Sequence, residues 1–521
     1  MRHVSCAVVS LLLTLLVPAT VVAKGPADAY YGRGTTNVVW FLHISDLHIG
    51  SSQVEDPKQL ATPHFEFALQ QAIPVIDPSF VLASGDLCDG SQGVLPTVGQ
   101  QQDEWDAYKG LYTKAGMKAD FYFDLPGNHD AYGESNGLPH FLNNALQGQA
   151  NGKPYVSWSV KVPDGEMLFF GLNSAGTGAS PLSNPPGNFT DDELDYVEQT
   201  MAAHAGAQLV IMAGHHPLQG ATNQDRVEKA FQAAKGGFYL HGHRHDYTEY
   251  LGGGDTIVVN EVGSLGKSDT DNVGVAVIDH NALVYRATST SKPWPFVTIT
   301  APVSAKLRQG ADNPYAYAVC KDRKDNPVRA LVFSDKKVSS VTAQIGAGPV
   351  ATMKSSAPDS PVYEAEVDTS ALAAGNHDVT VTAKVGSEQA TQTLSAKFVA
   401  GPCEALPVDP DPPSADGGAG AAGASGSGGS SGDGGIAGSA GASGKAGGGG
   451  AGTGGKAGSA GAAGKAGAGA TTQADPQAPE DDGGCSCTTA PASGPGTAAW
   501  AAIFAALALR SRRARRTRAA R

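Results

Sequence analysis

Over residues 37–294 the chain alternates unbroken apolar runs with stretches of helical character. Val38-Val39-Trp40-Phe41-Leu42-His43-Ile44 reads as a buried strand, and so do residues 80–84, 121–125, 208–213 and 237–240. Continuous apolar strands separated by helices predict a sheet covered on both faces. Thr190, followed by Asp191-Asp192-Glu193, is a helix N-cap with acids in the first turn, and that helix should run to about Ala203. After Trp294 the rhythm changes. Short runs at 297–300, 330–333, 338–345 and 379–383, parted by Gly, Pro, Asn and Asp turns, predict a β-sandwich over residues 295–402.

The remaining segments have other compositions. Residues 403–484, above all from Asp409 on, are Gly, Ala and Ser in near-repeat with scattered Lys. They hold too little apolar bulk for a core and read as a flexible tether. Residues 1–23 read as a secretory signal: Arg2 and His3, an apolar run at 8–17, and Val21-Val22-Ala23 as a small-residue cleavage site. Residues 485–521 carry Cys485-Ser486-Cys487, an apolar stretch at 497–509 and seven arginines within 510–521. Thirteen apolar residues are short for a full span, although arginine stems can extend one by snorkelling. Arginines beyond an apolar segment stay on the cytoplasmic side, which would place the folded part outside.

At 521 residues the chain exceeds one ordinary domain, and its net charge of -13 argues against general affinity for nucleic acid or anionic lipid. Cys6 would leave with the signal. Cys320 and Cys403 bracket the sandwich and are candidates for a disulfide in an oxidising compartment. Cys88 is expected to pack in the core.

The chemistry lies in five short motifs just past the strands: Asp46-Leu47-His48, Gly85-Asp86-Leu87-Cys88-Asp89, Gly127-Asn128-His129-Asp130, Gly214-His215-His216 and Gly242-His243-Arg244-His245. Together they supply seven oxygen and nitrogen ligands suited to hard or borderline divalent metals, and leave His129 over for chemistry. Ligands leaving the carboxyl ends of several strands converge on one rim. Gly85, Gly127, Gly214 and Gly242 stand where a side chain would hinder the backbone's approach to that rim. Two cations clamp phosphoryl oxygens and acidify a shared water, a carboxylate can bridge them, and a neutral Asn carbonyl limits the negative charge around them.

The ordered set resembles the calcineurin-like metallophosphoesterase superfamily over residues 37–262. The resemblance implies an α/β fold, a four-layer α/β/β/α sandwich followed here by the Ig-like β-sandwich. It implies that Asp46, His48, Asp86 and His245 hold one metal, and that Asp86, Asn128, His215 and His243 hold the second, with Asp86 bridging. The cofactors would be two divalent ions (Mn, Fe or Zn), and the reaction attack of a metal-bridging hydroxide on a phosphoester. His129 would stabilise or protonate the leaving oxygen, with Asp130 orienting its ring. The purple acid phosphatase branch has a tyrosine where this chain has Asp89, which disfavours a charge-transfer Fe(III) site; Asp89 should accept a bond from a ligand or a loop amide. His216 and His241 neighbour ligands and are candidates for supporting them. His43 is expected to be a strand residue, and His64 and His140 to be exposed.

Further stretches, Phe41-Leu42-His43-Ile44-Ser45-Asp46-Leu47-His48, Val81-Leu82-Ala83-Ser84-Gly85-Asp86, Glu104-Trp105-Asp106-Ala107-Tyr108 and Lys292-Pro293-Trp294-Pro295, resemble the extracytoplasmic part of the transmembrane protein 62 group. That group's later multi-pass region is missing. The C-terminus instead resembles the myxobacterial sorting signal (MYXO-CTERM). This implies export, an envelope sorting protease as a partner, and retention at the outer membrane or surface of a Gram-negative cell through the C-terminal helix or a lipid on Cys485 or Cys487. The competing function class is a catalytically silent surface-binding or adhesion module on the same fold. A nuclease is not favoured, because no basic stripe with interleaved aromatics flanks the motifs. Gly375-Asn376-His377-Asp378 repeats the third motif inside the sandwich, without companions, and reads as a tight turn leading into a strand at Val379.

Overall fold

The computed structural model describes residues 37–401, apart from 51–58, 93–96, 135–136, 179–185, 235–236, 255–256, 268–270, 281 and 306–317. The signal, the tether, the sorting segment and Cys403 lie outside the described residues.

Two sheets pack face to face. One orders its strands Ala282–Ser289, Asn272–Asp279, Val38–Ile44, Val81–Ala83, Tyr122–Asp124; the other orders Thr248–Gly252, Ile257–Glu261, Gly237–His241, Leu209–Ala213, Gly165–Gly171, Val156–Val162. The inner strands of each are buried on both faces, so they split their side chains between two cores. From Val38–Ile44, Val39 and Phe41 enter the core between the sheets with Phe80, Phe123 and Phe169. Val38, Leu42 and Ile44 face the outer helices with Phe65, Trp105 and Tyr108. From Leu209–Ala213, Leu209 and Ile211 point inward, while Val210 and Met212 meet Leu194, Val197, Val227 and Phe231 on the opposite helices. The result is the four-layer α/β/β/α sandwich. Each buried Phe contributes about 1.5–3 kcal/mol relative to exposure, and the rings interlock: Phe41 stacks on Phe80 at 4.5 Å, and Phe80 meets Phe169 edge-on at 5.0 Å.

Local signals act where the chain turns. The helix Asp191–Ala203 opens on a capping box in which Thr190 Oγ1 accepts from Glu193 N and Glu193 accepts from Thr190 N. Buried Asp124 accepts from Leu146 N and Gln147 N, satisfying the first donors of the helix Leu146–Asn151.

Residues 296–399 form a β-sandwich of the Ig-like kind. Its strands run in the order Phe296–Ala301, Asn326–Phe333, Val362–Val367, Ala351–Ser355, Ser340–Ile345, Gly375–Val385, Glu388–Val399, Val319–Cys320, and they enclose a core that includes Ile299, Val328, Val341, Val381 and Phe398. It joins the first domain through a shared apolar seam, where Trp40 and Phe296 meet Phe333. Arg329 sends Nη1 to both carboxylate oxygens of Asp279 at 2.7 Å, with both residues buried. Cys320 is disulfide-bonded.

Three smaller expectations change. The repeated motif at Gly375 is the start of the strand Gly375–Val385 rather than a turn; it pairs with Glu388–Val399, and His377 lies against Phe398. His64 and His140 are half-buried, held by the Leu265 carbonyl and by Glu134.

Candidate metal centre

All five motifs leave carboxyl ends of strands. Val38–Ile44, Val81–Ala83 and Tyr122–Asp124 deliver the first three from one sheet, and Leu209–Ala213 and Gly237–His241 deliver the last two from the other. The site therefore bridges the two sheets at one end. Its backbone is strained: Asp46, His48, Asp86, His243 and His245 have φ of 54°, 47°, 49°, 80° and 58°. A non-glycine residue in the left-handed region costs about 1–3 kcal/mol and persists only when its surroundings hold it. Here Asp46 N donates to Gly85 O, His48 N to Asp86 O and Ile49 N to Leu87 O, which zips the first two loops together. Glycine is required where the loops touch. A Cβ on Gly127 would stand 2.2 Å from Asp86 Oδ1, and one on Gly242 would stand 2.3 Å from Asp46 Oδ2.

The seven candidate ligands come together in two overlapping groups. In one, His245 Nε2 is 3.1 Å from Asp46 Oδ1 and 3.2 Å from His48 Nε2, which lies 3.9 Å from Asp86 Oδ2. In the other, His215 Nε2 is 3.1 Å from Asp86 Oδ2, 3.0 Å from Asn128 Oδ1 and 3.2 Å from His243 Nδ1, itself 2.9 Å from Asn128 Oδ1. Donors held about 2.0–2.2 Å from one cation stand about 3 Å apart, which is the spacing seen. The donor chemistry fits as well. His215 Nδ1 donates to the Ser84 carbonyl at 2.9 Å, so in the neutral ring Nε2 carries a lone pair facing the lone pairs of Asp86 and Asn128. Asn128 Nδ2 donates to Tyr132 Oη at 2.7 Å, turning its oxygen inward. Asp46 Oδ1 is fully buried and makes no hydrogen bond. Such a set of facing acceptors favours positive charge between them, whether a proton on His215 or a metal cation.

The electrostatics carry the same message. Burial, the largest single effect, would raise Asp46 and Asp86, but His215 together with His245 at Asp46, and with His129 and His48 at Asp86, outweighs it and holds both carboxyls well below the usual range. Burial opposes charge on His215, yet Asp86 and Asp46 lift it to about 9. His48 is lowered to about 4 by burial and by Lys267, and His243 to about 4 by burial and by His215. The pocket of carboxylates thus draws positive charge onto its most enclosed histidine.

His48 Nδ1 donates to Asp89 Oδ1 at 3.0 Å, a carboxylate behind a candidate ligand imidazole that fixes its tautomer and ring angle. His129 projects to the rim, with 20% of its side chain exposed and Nε2 3.9 Å from Asp86 Oδ2. One expectation is corrected here. Asp130 does not orient the His129 ring, because its carboxylate accepts three backbone N–H groups, from Gly127 at 2.8 Å and from Leu87 and Cys88 at 3.0 Å. The ring is held instead by the backbone carbonyl of Asp89, 2.5 Å from Nδ1. Cys88 is buried in the core with its thiol pushed up by burial. His43 is a buried strand residue between Tyr285 and Ser84. His216 packs beside His243 with Nδ1 on Ser174 Oγ, and His241 Nδ1 bonds the Gly242 carbonyl.

Several supporting residues lie outside the five motifs. Ser174 Oγ accepts from both His215 N and His216 N at 2.9 Å. Glu261, pushed up to about 7 by burial, accepts from Arg244 N and Thr248 Oγ1 and so shapes the fifth loop. Residues 264–267 clasp the first motif: Leu265 N donates to Ser45 O, and Gly266 N and Ser264 Oγ both donate to Asp46 O. A serine, an acid and a turn without periodicity gave no sequence signal.

A two-sheet α/β sandwich with paired Asp/His clusters at one end defines a metallophosphoesterase fold and site. Residues 39–247 match the profile of the calcineurin-like phosphoesterase family, and this part of the chain is a calcineurin-like metallophosphoesterase domain. The chain is 27% identical over 256 residues to an Arabidopsis thaliana protein named as an inferred metallophosphoesterase, covering 45% of this chain and 34% of that one. It is 25% identical over 334 residues to transmembrane protein 62 of Mus musculus, covering 61% and 49%. It thus spans about a third to a half of the length of these relatives. Among solved structures, a 5'-nucleotidase from Candida albicans aligns with a TM-score of 0.30 and 14% identity over 48% of this chain and 51% of that one, a likeness too distant to bear on chemistry. Among the described residues no helix is long and apolar enough to cross a membrane.

Proposed function

We propose that this domain hydrolyses phosphoesters with two divalent cations, Mn, Fe or Zn, held by Asp46, His48, Asp86 and His245 and by Asp86, Asn128, His215 and His243. The carrying observation is the position of Asp86: Oδ2 lies 3.1 Å from His215 Nε2 and 3.9 Å from His48 Nε2, so one carboxylate oxygen faces both groups. When bound, such a pair of cations polarises phosphoryl oxygens and lowers the pKa of water for in-line attack. The chain's own residues do the rest. His129 N donates to Asp86 Oδ1 at 2.8 Å and fixes that carboxylate with Oδ2 toward the ligands. His129 Nδ1 is engaged by the Asp89 carbonyl, which leaves Nε2 at the rim to stabilise or protonate the departing oxygen. Asn128 contributes an oxygen without charge.

The domain works, in this reading, outside the cytoplasm, anchored at the C-terminus by the apolar segment or by a lipid after processing by an envelope protease. Residues 1–23 and 485–521 support it, as does the disulfide at Cys320, a bond of oxidising compartments. Turnover of a chromogenic phosphoester by the purified chain, lost on chelation and restored by Mn2+, tests the chemistry; no turnover with metal fully loaded would contradict it. An antibody to the folded domain that labels intact cells tests the location; protein found solely in the cytoplasm would contradict that.

A further inference from the structure

A line of hydrogen-bonded side chains crosses the apolar inner face of the first sheet. On the strand Val38–Ile44, His43 shares the parity of Val39 and Phe41, the residues that point between the two sheets, and it is fully buried. Its Nδ1 lies 2.8 Å from Tyr285 Oη, two strands away, and its Nε2 lies 2.8 Å from Ser84 Oγ, at the exit of the neighbouring strand. Tyr285 reaches it across Gly274, where a Cβ would stand 2.0 Å from Tyr285 Oη. Burial, and after it His241, lowers His43 to about 3, so the neutral ring offers one donor and one acceptor to the two hydroxyls.

The line ends on a candidate ligand. The Ser84 carbonyl accepts from His215 Nδ1 at 2.9 Å and from Ser45 Oγ at 3.3 Å. This one oxygen ties a histidine delivered by the second sheet to the first sheet. It also sets which nitrogen of the neutral His215 ring is left for a cation, and where that nitrogen points: Nε2 is 3.1 Å from Asp86 Oδ2 and 3.0 Å from Asn128 Oδ1. The peptide that carries the carbonyl runs into Gly85 at φ 101°, a residue with little intrinsic stiffness. Ser84 is therefore held from its other side, by its N–H on Ile44 O and by its hydroxyl on His43. His43, Ser45, Ser84 and His215 are all buried, where a lost bond is not replaced by bulk water.

We propose that His43 is a positioning residue for the cation at Asp86, Asn128, His215 and His243: by gripping the Ser84 side chain it keeps the Ser84 carbonyl on His215 Nδ1, and Nε2 toward Asp86 and Asn128. His43 stands three residues before Asp46, on the strand that delivers the other group. A general loosening of that strand would act first on Asp46 and His48, whereas the line through Ser84 acts on His215. The inference rests on the two-cation part of the proposed function and not on turnover.

The test is calorimetric titration of the full chain with Mn2+ in two backgrounds. His245→Ala leaves the second group whole, and His215→Ala leaves the first. With the second group whole, adding His43→Phe, which keeps a ring and removes both bonds, should weaken Mn2+ roughly tenfold, the low end for loss of a partner behind a ligand imidazole. Adding Ser84→Ala should do the same, and both together no more than either, because they cut one link. His43→Gln, which can still bond Ser84 Oγ, should stay near its background. With His215 gone, His43→Phe should shift the remaining ion by less than about twofold, the limit for sites that do not interact. Ser84→Ala removes a single heavy atom, so it decides the matter even where His43→Phe fails to fold. Equal weakening in both backgrounds, or unchanged affinity with the second group whole, would overturn the role of His43. A parent that binds two ions and cleaves no phosphoester would overturn the hydrolase reading alone, since the Mn2+ affinities still decide His43.

Discussion

The backbone carbonyl of Asp89 lies 2.5 Å from Nδ1 of His129, while the carboxylate of the same residue lies 3.0 Å from Nδ1 of His48. One residue thus orients two histidines through two different atoms, and only one of those atoms can be removed by mutation. Asp89→Ala should leave the His129 ring in place and weaken the cluster of Asp46, His48 and His245. Loss of such a partner typically costs 10–100-fold in metal affinity. Calorimetric titration with Mn2+ should find one of two sites weakened by about that factor; equal weakening of both would show that Asp89 acts on the whole loop.

His129 lies against the candidate ligands Asp86 and His48 without belonging to the seven, and its part-exposed ring stands with Nε2 3.9 Å from Asp86 Oδ2. His129→Ala should retain metal and lose about 10²–10⁴-fold in kcat, the range for a positioned acid. Steady-state kinetics with a phosphoester of poor leaving group checks this, and full activity there would remove His129 from the chemistry.

Asp130 binds three loop N–H groups in a buried setting. Its replacement by Ala leaves buried donors unpaired at about 1–3 kcal/mol each. Asp130→Ala should lower the thermal midpoint and loosen metal binding together. A variant with parental stability and a selective loss of kcat would restore the ring-orienting role that the structure assigns elsewhere.

Glu193 is fully buried in its capping box, and burial pushes it up to about 8 from 4.5. Between those values the folded chain keeps a proton that the unfolded chain has released. Its contribution to stability is therefore greatest below the unfolded value and declines as pH rises through the window, by at most about 1.4 kcal/mol per pH unit. Denaturant unfolding of Glu193→Gln across this window should be flatter with pH than the parent. Parallel curves would mean that the hydrogen bonds from Asn173 N and Thr190 N keep Glu193 ionised.

Strands that end in a motif were legible because both their faces are apolar, and a glycine marks the exit of all but the first. The expected strand at 38–44 coincides with Val38–Ile44, and the Thr190 cap opens its helix. Strands such as Val156–Val162 and Asn272–Asp279 were not legible. The first places a half-exposed edge beside an aromatic core, and the second carries Gly274 under the Tyr285 ring, so neither shows a clean period. The candidate donors could be read from residue types, since each motif carries its own. The supports could not. Asp89 accepts from His48 as expected, but the His129 ring is held by the Asp89 backbone carbonyl, an atom every residue has, in place of the Asp130 carboxylate, and Lys267 reaches Asp89 from 178 positions away.

Metal stoichiometry of Asp86→Ala against the parent, by elemental analysis and Mn2+ titration of the full chain, tests the shared carboxylate at the heart of the site. The parent should bind two ions per chain, and Asp86→Ala should lose high affinity at both positions at once, with phosphoesterase turnover abolished. A parent that binds a single ion, or an Asp86→Ala variant that keeps one ion with parental affinity, would contradict it.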